Sequence, residues 1–303
     1  LMKILHLIDS GGLYGAEKML LTLVAEQVRG GLSPLILSVG VPGITEKALE
    51  VEARRLGLPL KVWRMKPGLN FREALHIARW AKSENFQIFH SHGYKFNILL
   101  GLLPKLLRKI PVVTTLHGYT STKKYTKMWI NELLDRYALT RVDRVVLVRQ
   151  GMSEVLGKRI QKKSSLCVIE NGIDCSASDD NIKFALSNTI ESFLNQPGPV
   201  VCAVGRLSPE KGFPLLIEAI SKLQSLHDQI KLIILGEGGM RNEIENKVRF
   251  LKIEDRVLMP GYIDNPIDIM KRCTLIAMPS YTEGLPVTLL EALKIRCPIV
   301  ASA

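Results

Sequence analysis

Short apolar runs alternate with longer amphipathic stretches along the whole chain, and this alternation constrains the fold more than any other feature. Near the start "KILHLID" reads as a strand, and "SGGLYGAEKMLLTLVAEQVRGG" as a glycine turn and an amphipathic helix closed by glycines. The strand signature returns in "LSPLILSVG", "LKVWRM", "FQIFHSH", "PVVTTLHG", "DRVVLVR" and "SLCVIENGI", each separated by a helical stretch. Strands spaced by helices form a parallel sheet covered on both faces. After the polar stretches "DCSASDDN" and "LNQPGP" the pattern restarts at "PVVCAVGRL" and continues through "IKLIILGEGG", "RVLMPGY", "CTLIAMPS" and "PIVASA". The expected fold is therefore α/β, with two Rossmann-like doubly wound parallel-sheet domains in tandem. They are read as residues 1–174 and 198–303, with a linker region over 175–197. Ligands of such sheets bind beyond the carboxyl ends of the strands. No helix follows "PIVASA" to cover it, so the second domain is expected to be incomplete at its C-terminus.

With 303 residues, 47% of them hydrophobic and 23% charged, the chain can bury a large core. No apolar run reaches membrane-spanning length; the longest, "ILLGLLPKLL", is broken by Pro104 and Lys105. The start lacks the long apolar stretch of a signal peptide. The five cysteines (Cys167, Cys175, Cys202, Cys273, Cys297) form no CxxC pair, which points to reduced thiols in a cytoplasmic protein, and no metal-ligand set is visible. Charge is divided unevenly. Residues 1–173 hold 27 Lys and Arg against 13 Asp and Glu, a net of +14, whereas residues 174–303 hold 14 against 16, a net of −2. Such asymmetry points to an acidic partner or an anionic membrane surface facing the first half. The clusters are Lys105-Arg108-Lys109, Lys123-Lys124-Lys127 and Lys158-Arg159-Lys162-Lys163. Any one of them alone fits a solvated face.

In "SYTEGLPVTLLEA", residues 280–292, Glu283 and Glu291 bracket a Gly-Leu-Pro turn between a buried strand and a helix over 287–293. Pro286 suits the first helical position, where no backbone N–H is needed. Gly284 lets a ligand come close. The free N–H groups of a helix start make a strand–turn–helix junction an anion site. At helical rise the two acids would stand roughly 12 Å apart. That is too far for a carboxylate pair on one glycosidic bond, which needs about 5 to 9.5 Å. It suits a ligand with a phosphate in its middle and hydroxyls at both ends, such as a nucleotide sugar. A capping acid plus a solvent-facing helix acid fits these residues equally.

Four stretches combine: "SGGLYGAE", with Gly12 and Gly15 opening a helix; "TLHG", with His117 at a strand end; "GRLSPEKG", with Arg206 and Lys211; and "SYTEGLPVTLLEA". Together they resemble the retaining, nucleotide-sugar-dependent glycosyltransferases of the GT-B fold, of the family-four type (glycosyl transferases group 1). "ENGID" at 170–174 is similar to that family's domain junction. The resemblance implies an acceptor-side first domain and a donor-side second domain. Arg206 and Lys211 would neutralise the donor diphosphate as its glycosidic bond breaks. The backbone N–H of Leu285 and those beyond Pro286 would reach phosphate oxygens. Glu291 would accept from the ribose hydroxyls, and Glu283 would sit by the transferred sugar. His117 would act at the reaction centre, and Gly12 and Gly15 would let the first-domain loop approach donor and acceptor. Glu237 in "GEGG" has a weaker claim to the nucleotide. His90 and His92 in "FHSHGY" fit packing as well as catalysis, and His6, His76 and His227 carry no signal.

The reaction so implied moves a sugar from a nucleotide diphosphate sugar to a glycan or lipid-linked acceptor hydroxyl, in bacterial cell-surface polysaccharide synthesis. No metal or other cofactor is required, and no nucleic acid is involved. The place would be the cytoplasm, peripheral on the inner face of the membrane. Arg149 in "VVLVRQGMSEVL" departs from the small hydroxyl residue expected there. Alternatives are another GT-B enzyme, such as a nucleotide-sugar epimerase or a phosphorylase, or a non-catalytic nucleotide-binding module. A dehydrogenase is disfavoured because GxGxxG is missing after the first strand.

Overall fold

A computed structural model describes residues 1–118, 126–154, 156, 158–161, 165–175, 186–223, 229–263 and 265–302. The chain forms two compact units, Leu1–Gly172 and Ile173–Ala303, so the division falls inside "ENGID".

In the first unit seven parallel strands are β1 (Lys3–Ile8), β2 (Ser33–Gly40), β3 (Leu60–Arg64), β4 (Ile88–Ser91), β5 (Val112–Leu116), β6 (Arg144–Leu147) and β7 (Leu166–Val168). Their order is β3-β2-β1-β4-β5-β6-β7, so the winding reverses between β1 and β4. The connecting helices are α1 (Gly15–Arg29), α2 (Ala48–Arg55), α3 (Phe71–Ser83), α4 (Tyr94–Leu102), α5 (Lys105–Arg108), α6 (Lys127–Leu139) and α7 (Lys158–Gln161). Side chains alternate across the sheet. Leu5 and Leu7 of β1 enter the larger apolar cluster with Leu37, Phe89 and Leu147, while Ile8 joins Leu20, Val24, Ile36 and Leu49 beneath α1 and α2. His6 shares the face of Ile8 and is fully buried there.

The second unit repeats the plan with β8 (Val200–Val204), β9 (Lys231–Leu235), β10 (Val257–Gly261), β11 (Leu275–Met278) and β12 (Ile299–Ala301), in the order β10-β9-β8-β11-β12. Its helices are α8 (Asn188–Asn195), α9 (Phe213–Leu223), α10 (Arg241–Phe250), α11 (Ile267–Met270) and α12 (Val287–Lys294). Here the winding reverses between β8 and β11. One core lies on each side: Val201, Ala203 and Ile217 on one, Val200, Cys202 and Ala292 on the other.

The segment expected as a linker is not all linker. Residues 176–185 lie outside the described residues, but α8 follows them and packs Ile190 and Phe193 into the core beside Val200. The buried Lys231 ammonium holds the end of α8 by donating to the carbonyls of Phe193 (2.9 Å) and Gln196 (2.7 Å). Among the described residues no helix is long and apolar enough to cross a membrane. The cysteines are free, with Cys202 buried, Cys175 exposed and the other three intermediate.

Candidate active site

In the second unit the loops at the carboxyl ends of β8 and β11 meet, because these adjacent strands pair Val201 with Leu275 and Cys202 with Ile276. The β8 loop runs from Gly205 through a single 3₁₀ turn, Pro209–Lys211, to Gly212 at the start of α9. Gly212 has φ +65°, and a Cβ there would collide with the Pro279 carbonyl, so only glycine lets this turn press on the β11 loop. Tyr281 N–H donates to the Glu210 carbonyl at 2.8 Å, tying the two loops a second time. The Lys211 side chain folds over Gly205, whose ideal Cβ would lie 3.5 Å from Lys211 Cδ and Cε. Its ammonium donates to Glu283 Oε1, and Ser280 Oγ donates to the same oxygen at 2.7 Å. Lys211 and Glu283, expected to serve different parts of a ligand, are thus an ion pair, each side chain about a fifth exposed (22% and 23%).

Arg206 is exposed on the same loop. Gly284, Leu285 and Pro286 form the half-buried turn into α12. Pro286 stands at the N-cap, with extended backbone (φ −68°, ψ 131°), and not at the first helical position expected from sequence. Glu291 is buried on the inner face of α12 with Val287 and Ala292, so it is not a solvent-facing helix acid. Glu237 follows β9 and accepts from Arg241 Nη1 at 2.5 Å, while Arg241 Nη2 donates to the Met259 carbonyl (2.9 Å). Glu237 is therefore held at the neighbouring strand end by its own helix.

In the first unit the same strand ends gather four histidines. His6 on β1 lies in register with His90 on β4, and their rings are 4.9 Å apart. His92, just past β4, is 4.2 Å from the His90 ring, so the i, i+2 spacing does place both on one side. His6 Nδ1 and His92 Nε2 are 3.0 Å apart, and His92 Nδ1 and His117 Nε2 are 3.1 Å apart. At the far end His6 Nε2 meets Gln27 Oε1 at 2.7 Å, and His90 Nε2 meets Thr115 Oγ1 at 2.8 Å. Burial pushes His6 and His117 down to about 4, and burial with the neighbouring imidazoles pushes His90 and His92 well below the usual range. All four rings are therefore neutral near pH 7.

This corrects two expectations. His6 carries a signal after all: it is a polar ring among the aliphatic residues of "KILHLI", and that is the feature by which sequence reading could have found it. A group spaced to hold a metal also exists, since His6, His90 and His92 offer ligand atoms within 4.8 Å of one another. The chain brings these residues together only through β1–β4 pairing, which spacing does not reveal. The 3.0 Å between His6 Nδ1 and His92 Nε2 is a hydrogen-bond distance, shorter than the about 3.3 Å that two nitrogens on one tetrahedral zinc would require. His6 and His92 are hydrogen-bonded to each other, and on to Gln27 and His117, while His90 turns to Thr115. Of the remaining histidines, His76 is an exposed partner of Glu73 on α3, and His227 lies outside the described residues.

Gly12 lies in the β1–α1 loop, where Ser10 Oγ accepts from Gly12 N–H (3.2 Å) and the Tyr14 ring covers the space a Cβ would need. Gly15 is the exposed first residue of α1. Arg149 is exposed beyond β6.

Residues 14–177 match the family described as Glycosyltransferase Family 4, and residues 188–303 match Glycosyl transferases group 1. A similar protein is the Escherichia coli UDP-Gal:alpha-D-GlcNAc-diphosphoundecaprenol alpha-1,3-galactosyltransferase, 27% identical over 77% of this chain and 62% of that protein. Another is the Campylobacter jejuni N-acetylgalactosamine-N,N'-diacetylbacillosaminyl-diphospho-undecaprenol 4-alpha-N-acetylgalactosaminyltransferase, 35% identical over 60% of this chain and 48% of that one. The chain spans 62% or less of the length of these relatives. Anabaena HepE, solved in complex with UDP and glucose, superposes with a TM-score of 0.80 at 22% identity, over 99% of this chain and 80% of HepE. A Rickettsia africae glycosyltransferase gives 0.70 at 19%, over 99% of this chain and 79% of its own. These likenesses show the GT-B fold. With a match that runs over more than half of its residues, the chain belongs to Glycosyltransferase Family 4.

Proposed function

We propose that the chain is the catalytic part of a retaining glycosyltransferase that moves a sugar from a nucleotide diphosphate sugar to an acceptor hydroxyl. The observation that carries this reading is the convergence at the β8/β11 switch point, where a lysine on one loop meets a carboxylate on the other at the tip of α12. Lys211 and Arg206 would take the diphosphate, whose charge grows as the anomeric C–O bond breaks and its electron pair moves to the phosphate oxygen. The Leu285 N–H at the entrance to α12 would add a donor without a charge to desolvate. Glu291 would hold the ribose hydroxyls. These groups supply the stabilisation a divalent cation would otherwise give, so no metal is required.

Glu283 is assigned as a stabiliser of the oxocarbenium-like centre and of the sugar hydroxyls. Two donors on Oε1, Lys211 Nζ and Ser280 Oγ, hold negative charge there and make the carboxylate a poor nucleophile. His117 would contact a donor-sugar hydroxyl, and Gly12 and Gly15 would let backbone come near the reactants. The names of the Escherichia coli and Campylobacter relatives support a lipid-linked glycan as acceptor. The basic first half would then face an anionic membrane surface from the cytoplasmic side, with no part for nucleic acid.

A thermal-shift panel of nucleotide sugars tests the reading. One donor class should raise the melting temperature, and Lys211→Ala or Arg206→Ala should reduce that rise sharply. An unchanged response in both variants refutes the assignment. Interconversion of free nucleotide sugars without an acceptor would identify an epimerase instead.

A further inference from the structure

Four hydrogen-bonding groups form a single file that ends at His117: Gln27 Oε1, His6, His92 and then His117, at 2.7, 3.0 and 3.1 Å. A neutral imidazole donates from one nitrogen and accepts with the other, so the direction of one bond fixes every other bond in such a file. Gln27 Oε1 can only accept. His6 must then carry its proton on Nε2 and accept with Nδ1, His92 must donate from Nε2, and His117 must donate from Nε2. The nitrogen left over is His117 Nδ1, which is buried and has no partner among the described residues. It ends the file as a bare lone pair.

We propose that Gln27, His6 and His92 are positioning residues that fix the tautomer of His117, leaving its Nδ1 as a hydrogen-bond acceptor for a hydroxyl of the bound sugar. This rests on the reading of His117 as a sugar-contacting residue. The file is built for one tautomer because its four members come from separate elements: α1 for Gln27, β1 for His6 and the ends of β4 and β5 for His92 and His117. His90 stands beside the file and is turned to Thr115, so it does not offer His92 a second direction. An acceptor at this place recognises a hydroxyl by its proton, and an acceptor nitrogen held in advance needs no rearrangement as the sugar binds. Reversing the file by turning the Gln27 amide would put a buried N–H on His117 with no acceptor, and His117 would then have to recognise a hydroxyl oxygen instead.

Long-range proton–nitrogen NMR on the whole chain, with ¹⁵N-labelled histidine at pH 7.5, reads each ring's tautomer directly. His117→Ala and His92→Phe serve to assign the signals. The expected spectrum has His6, His92 and His117 all protonated on Nε2. Gln27→Leu, a change at a half-buried helix position, should let His117 become a mixture of tautomers and lower kcat/KM for the donor by about tenfold. Gln27→Glu keeps an acceptor and should restore the single tautomer and the rate. A proton on His117 Nδ1 in the parent chain overturns the proposal, as does a Gln27→Leu spectrum identical to the parent. So does displacement of these signals by one equivalent of Zn²⁺, which would make the imidazoles metal ligands. The two readings separate cleanly. If His117→Ala turns over donor at the parent rate, the sugar contact fails while the tautomer assignment stands; the wrong tautomer with an inactive His117→Ala does the reverse.

Discussion

Lys211 and Glu283 form the most consequential pair of side chains, because each limits what the other can do. A diphosphate must draw the ammonium away from, or share it with, the carboxylate, and a charge-assisted hydrogen bond to phosphate is worth about 1.5–3 kcal/mol. Lys211→Ala is therefore expected to weaken donor affinity by about tenfold to a hundredfold in calorimetry, and Lys211→Arg to recover part of it. Glu283→Gln, which keeps the shape but not the charge, should lower kcat far more than it changes donor KM. The histidine file gives a stability prediction. Folded His6 and His117 lie near 4, below the unfolded value of 6.5, so between these limits the unfolded chain binds more protons. Their contribution is whole above pH 6.5 and drains away as the pH falls toward 4. A shift of that size is about 3 kcal/mol for one fully buried ring. The thermal midpoint should drop steeply from pH 6.5 to 4.5, and less steeply in His6→Asn. Sequence motifs singled out Lys211, Glu283 and His117 as candidates, whereas the joining of His6 to Gln27 and His92 stayed hidden because these partners come from other elements.

Helix α2 shows how an element can be fixed by one residue. Glu50 is buried and accepts from Ser38 Oγ on β2 (2.7 Å) and from both terminal nitrogens of Arg64 on β3 (2.8 Å each). Removing Glu50 strips the half-buried Arg64 of its carboxylate and leaves it the Ile44 carbonyl (3.2 Å), so Glu50→Ala is expected to cost about 3 kcal/mol in denaturant unfolding. Replacing both Glu50 and Arg64 by apolar residues should cost less than the sum. Gly212 fixes the meeting of two loops in the same way. Gly212→Ala strains a left-handed backbone and drives a methyl into the Pro279 carbonyl, so it should reduce the melting point and the nucleotide-sugar response together. The strands were legible from their aliphatic runs, since parallel strands buried on both faces leave little room for polar residues. Helix α8 was not, because its few apolar positions follow a polar stretch and its end is secured by Lys231 from a distant strand. Pro286 reads as a helix start either way; whether it caps or enters α12 depends on backbone angles that composition does not encode.

The molecule as a whole is two doubly wound units of unequal charge, a net of +14 over residues 1–173 and −2 over residues 174–303. Not all of the first half's excess is free for a partner. Arg108 is buried against Asp143, which Lys105 also reaches, and Lys123, Lys124, Lys162 and Lys163 lie outside the described residues. If an anionic membrane is the partner, Lys109→Gln with Lys158→Gln and Arg159→Gln should weaken binding to phosphatidylserine vesicles by about 1 kcal/mol per charge, an effect that salt should erase. Equal vesicle binding by parent and variant would show that the basic clusters do not draw the chain to an anionic surface. Donor binding at the β8/β11 loops is settled by a crystal structure grown with the nucleotide sugar that gives the largest thermal shift. Diphosphate oxygens are expected within about 3.2 Å of Lys211 Nζ and of the Leu285 N–H, with the ribose toward Glu291. A nucleotide bound elsewhere, or bound here with its diphosphate turned away from Lys211 and α12, would contradict that placement.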